Sequence, residues 1–166
     1  YCMLSYFDHF QPIAFAIIIL ASATVFTLLW GFDALTHKKL VEHDITDTEL
    51  QTHRNILLAS VLMEISLITM FWNPLVSLPF FIAFFITRYS HEFIDELHYH
   101  TDRCKPYENY LHIGMWVTVL TKTFGMFIWG FFFQYEGFLE LPIYIHLWAL
   151  IAFSAMGIIG FFEWRR

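Results

Sequence analysis

Long apolar stretches alternate with short polar ones along this chain. Five candidate spans fall at about residues 12–32, 55–72, 76–98, 110–134 and 143–163. Each approaches the roughly 20 residues a helix needs to cross a hydrocarbon core. The pattern predicts an all-α fold: one polytopic transmembrane helical bundle of about five spans, filling residues 1–166 as a single domain. The breaks carry helix-end signals. The polar segment Asp33 to Arg54 contains DITDTE, where Asp44 or Thr46 can cap the second helix. WNPLVSLP predicts a tight turn, because Pro74 and Pro79 both interrupt a helix. Pro106, after the loop DRCK, suits the first turn of the fourth helix, and YEGFLELP predicts the turn into the fifth.

Composition makes lipid the expected solvent. Hydrophobic residues form 58% of the chain and charged residues 14%, against about 25% charged in soluble domains. The net charge of -6 says less than where the charges sit. Of the nine Lys and Arg, all but Lys122 fall at one face: Lys38, Lys39, Arg54, Arg88, Arg103, Lys105, Arg165 and Arg166. The positive-inside rule makes that face cytoplasmic, with the N-terminus out and the C-terminus in. A bacterial or archaeal cytoplasmic membrane is the expected location. The first apolar run has no basic stretch before it, so no cleavable signal peptide is expected. Cys2 and Cys104 fall on opposite faces, so no disulfide is expected. The scattered basic residues form no stripe for nucleic acid. The expected partners are the bilayer and other membrane subunits or further copies of the chain.

All His except His9 and His146 share the basic face, with many carboxylates. The densest stretch is RYSHEFIDELHYHTDRC. The apolar part of the third span, Leu75 to Thr87, is about 13 residues, or about 20 Å of helix against a core of about 30 Å. A straight helix therefore carries Arg88, His91, Glu92 and Asp95 to the membrane edge or inside it, where polar groups must face other helices or water. Arg88, His91, Asp95, His98 and Asp102 form one stripe at 3,4 spacing; Glu92, Glu96 and His100 form the next. Glu49 with His53, Glu96 with His100 and Glu108 with His112 are i,i+4 pairs. His53 and His112 open the second and fourth spans at similar depth.

Imidazole with carboxylate suits iron, manganese or zinc. The candidate ligands or orienting groups are His91, Asp95, Glu96, His98, His53 and His112. The spacing differs from known membrane metal motifs. The H-x-x-x-H and H-x-x-H-H sets of membrane desaturases and the paired E-x-x-H of alternative oxidases are absent. Four-helix di-iron carboxylate sites also use Glu-x-x-His; the nearest equivalent is the D-x-x-H of Asp95 to His98. The cluster points to a membrane metalloprotein with its site at the cytoplasmic face, and to redox chemistry on a lipid-soluble substrate or quinone. A plain solvated helix end is the competing explanation.

Two ionisable residues lie deeper. Glu64 is 11 residues past His53 and Lys122 is 10 past His112, about 15–17 Å into the membrane. The cost of an unpaired charge there predicts that they face each other or a shared polar cavity. They supply a second function class, a non-catalytic subunit or an ion- or proton-conducting oligomer. A b-haem electron-transfer subunit is a third, with His53 and His112 on one side and His9 and His146 on the other. Haem ranks below a bare metal ion, because no small-residue groove flanks His53 or His112.

Overall fold

The structure is a computed structural model that describes residues 11–44, 46–100 and 106–165, leaving aside the side chains of 36–44, 100, 106 and 108. Among the described residues the fold is all-α. The helices are α1 (Pro12–Asp44), α2 (Asp47–Thr69), α3 (Pro74–Ile94), α4 (Pro106–Phe133) and α5 (Ile143–Trp164). A π-helical turn, Asp95–His100, continues α3, and a 3₁₀ turn, Phe138–Glu140, precedes α5. α1 overruns its apolar segment. Nothing in the stretch after Phe32 breaks a helix, so the backbone continues to Asp44 and Asp33 becomes a helical residue.

α2 starts where Thr46 accepts the backbone N–H of Glu49 at 3.3 Å. Thr46 to Glu49 has the T-x-x-E spacing of a capping box. The turn at WNPLVSLP is tighter than the two prolines suggest. Asn73 caps α3 by accepting from Val76 N at 3.1 Å, and Pro74 takes the first helical position, where no N–H is needed. Pro79 lies inside α3, one turn on, so only Pro74 marks the boundary.

The helices run up and down. At one end, His53 of α2 meets Asp95, His112 of α4 meets Glu96 and Asp33, and Glu163 of α5 lies within electrostatic range of His53. At the other end, Phe15 packs on Phe133, and Tyr135 Oη donates to the Leu67 carbonyl at 3.1 Å. Gln134 and Tyr135 adopt positive φ of 47° and 55°. That uncommon conformation is held by the Tyr135 bond and by Trp129 Nε1, which donates to Glu136 O at 3.1 Å.

The core is lined by Met63, Leu67 and Met70 of α2, Ile19 and Leu20 of α1, and Trp129 of α4. Phe81, Phe127 and Phe131 stack face to face beside it. The outer surface is as apolar as the interior. Leu58, Val61, Ile65 and Ile68 form an exposed stripe on α2, and Phe80, Ile82 and Ile86 are exposed on α3. Three helical segments are long and apolar enough to cross a membrane: Pro12–Leu35, Asn109–Phe133 and Ile143–Trp164. Exposed apolar faces on that scale suit lipid rather than water.

Candidate metal centre

Glu49 and His53 occupy successive turns of the same face of α2. α3 packs against that face and delivers Asp95 at the point where it passes into the π turn. One donor atom from each of the three lies within 4.8 Å of the others. His53 Nε2 is 3.0 and 3.1 Å from the two Asp95 oxygens, so the carboxylate faces the imidazole squarely. Glu49 is 2% exposed and Asp95 9%. Burial disfavours the charged form of His53. The hydrogen bond and charge of Asp95, with the charges of Glu49 and Glu163, more than offset it and raise the His53 pKa.

One imidazole and two carboxylates form a hard-to-borderline donor set that fits iron, manganese or zinc. With only three protein ligands, an ion held here would keep positions free for water or substrate.

The remaining sequence candidates are distributed around this group. His91 faces α2 but is held by other partners. Its Nδ1 donates to the Thr87 carbonyl at 2.8 Å. Gln51 Nε2 donates to Asn55 Oδ1 at 3.1 Å, which leaves Asn55 Nδ2 to donate to His91 Nε2 at 3.2 Å. Both His91 nitrogens are therefore engaged. Glu96 lies 2.9 Å from His112 Nδ1, and Asp33 lies 3.6 Å from His112 Nε2. His98 is exposed, with its ring edge-on to Tyr99 at 4.8 Å. The single stripe from Arg88 to His98 requires an unbroken α-helix, and the π turn from Asp95 shifts its phase. His9, His37, His43, His100, Asp102 and Glu108 lie outside the described residues or side chains, as do Cys2 and Cys104.

Below the triad, Arg88 Nε donates to Ser60 Oγ at 2.9 Å, and the Arg88 guanidinium pairs with Glu92 at 2.7 Å. Deeper still, Lys122 Nζ donates to Glu64 Oε1. The haem arrangement needs His53 and His112 to present nitrogens to one porphyrin. Both instead direct nitrogens at carboxylates, and His146 Nδ1 faces the Pro142 carbonyl at 3.4 Å.

Two carboxylates that meet these imidazoles escaped the sequence candidates. Glu49 carried a signal, its i,i+4 spacing to His53. Asp33 carried none, because its place at the site depends on α1 continuing past its apolar segment. Comparison with family models, curated proteins and solved structures gave no match.

Proposed function

We propose that this chain is a five-span membrane metalloprotein that holds iron, manganese or zinc between Glu49, His53 and Asp95 and acts on a lipid-soluble substrate or quinone. The convergence of those three side chains from two helices is the observation that carries the proposal. The exposed apolar stripes of α2 and α3 support lipid contact for these helices too, although the polar inner faces lower their average hydropathy. The Lys and Arg of the charged end support its placement in the cytoplasm of a bacterial or archaeal cell.

A bound ion supplies Lewis acidity and, for iron or manganese, a redox couple. The chain supplies the rest. Glu49 and Asp95 offset the positive charge, and His53 contributes a neutral nitrogen once its proton has left. The Thr46 hydroxyl fixes the backbone at Glu49, and the surrounding apolar helices keep water away while facing the lipid from which such a substrate arrives.

Elemental analysis of protein purified without a His tag tests this. The expected result is one or more transition-metal ions per chain, reduced in His53→Ala and Asp95→Asn. Metal-free, folded protein that takes up no ion on titration would overturn it.

The Glu64–Lys122 pair favours a second function, a subunit or homo-oligomer that moves protons or ions. Proton uptake by reconstituted vesicles separates the two. Flux lost in the less destabilised Glu64→Gln/Lys122→Met supports conduction, and no flux in the wild type removes it.

A further inference from the structure

The Glu64–Lys122 pair has a phenol on either side of it along the bundle. Toward the charged end, Arg88 Nε donates to Ser60 Oγ at 2.9 Å, which sets this part of α3 one turn from Glu64. The Tyr89 ring centroid lies 4.4 Å from the Arg88 guanidinium carbon. Tyr89 is within electrostatic range of Arg88, Glu92 and Glu64. Toward the other end, Tyr135 Oη donates at 3.1 Å to the carbonyl of Leu67, on the next turn of α2 after Glu64. Tyr135 is also within electrostatic range of Glu64. Its placement requires two residues at positive φ, Gln134 and Tyr135 itself. It also requires Gly130, where a Cβ would stand 2.9 Å from Tyr135 Oη. Backbone strain of this kind clusters at functional positions.

Two oxygens between these groups are free to exchange protons. Tyr89 is 8% exposed, and among the described residues its Oη is buried without a hydrogen-bond partner, as is Glu64 Oε2. Buried polar atoms are ordinarily paired, and internal water commonly bridges those that other side chains leave over. We propose that Tyr89, Glu64 and Tyr135 form a proton path through the bundle, from Glu92 near the charged end to Glu136, which is exposed at the opposite end. Each phenol accepts a proton at its oxygen as it releases its own onward, so no phenolate forms. Glu64 takes up and gives up one proton at Oε2 while Oε1 keeps the Lys122 hydrogen bond. Chains of ionisable groups serve as such relays in membrane proteins. The path rests on the conduction reading of the Glu64–Lys122 pair, not on the metal centre, and it makes H⁺ the transported ion.

The test is proton uptake by vesicles holding the full-length protein, driven by a diffusion potential and read by an enclosed pH-sensitive dye. Tyr89→Phe keeps the ring and its contact with Arg88 and removes only a hydroxyl without a partner, so it should remain folded by circular dichroism. Uptake by the wild type is expected, reduced about 100-fold in Tyr89→Phe and in Tyr135→Phe. Tyr144→Phe, whose phenol is exposed on α5, should leave it unchanged. Undiminished uptake in folded Tyr89→Phe or Tyr135→Phe overturns the path and leaves conduction by the pair standing. A wild type that carries Na⁺ or K⁺ and no protons does the same. A wild type that carries no ion removes both readings. Where Tyr135→Phe does not fold, having lost its bond to Leu67, Tyr89→Phe alone decides.

Discussion

Replacing either member of the Glu64–Lys122 pair should cost far more than replacing both. Lys122 is 2% exposed, and its ammonium donates to the Glu64 carboxylate across two helices. Removing one partner of a buried ion pair costs about 3–5 kcal/mol, because the remaining charge is left uncompensated. A neutral hydrogen bond between membrane helices averages only about 0.6 kcal/mol. The two single variants should also differ. Lys122→Met leaves a carboxylate whose side chain is 22% exposed and keeps some hydration, so its cost should sit at the low end. Glu64→Gln strands an ammonium whose side chain is 3% exposed, so its cost should sit at the high end. Glu64→Gln/Lys122→Met removes both charges and should cost less than either single change. Unfolding of the four proteins in mixed micelles, followed by far-UV circular dichroism, gives the cycle. Single changes that add to within about 0.5 kcal/mol would show two independent residues. Single costs near 0.6 kcal/mol would show a neutral hydrogen bond in place of an ion pair.

Three further outcomes follow from local geometry. Thr46→Ala removes the acceptor for Glu49 N and should cost about 1 kcal/mol, weakening metal affinity as well, since Glu49 sits at that turn. Gly125→Ala places a methyl 2.8 Å from Ile19 Cγ1 at the α1–α4 crossing and should cost about 1–3 kcal/mol, whereas Gly157→Ala meets open space and should be neutral or stabilising; thermal unfolding compares them. In metal-free protein the raised His53 pKa contributes stability that is fully present below its unfolded value of 6.5 and fades as pH rises through the folded value. Unfolding midpoints at about pH 5.5 and about pH 8.5 should show that loss, and Asp95→Asn should flatten it.

Helix starts were legible in the sequence because single residues encode them. Thr46, Asn73 with Pro74, and Pro106 each supply a cap or a preset φ. The end of α1 was not legible. Hydropathy locates where lipid contact stops, not where the backbone hydrogen bonds stop, and nothing after Phe32 breaks them. That difference hid Asp33. The approach of His53 to Asp95 was partly legible, since depth counting places both at the charged end. Which carboxylate meets which imidazole depends on the π turn, and no spacing rule in the segment announces it. His98 shows the consequence: on the sequence stripe it aligns with Asp95, and in the fold it is exposed. His91 lies where the stripe predicts, but Asn55 and the Thr87 carbonyl occupy both its nitrogens.

Anomalous diffraction from crystals of the full-length, tag-free protein, collected at the absorption edge of the metal that elemental analysis finds, tests the central claim most directly. A peak bounded by His53 Nε2 and the carboxylates of Glu49 and Asp95 is the predicted result. An ordered charged end with no peak there, in protein saturated with the metal, would contradict it.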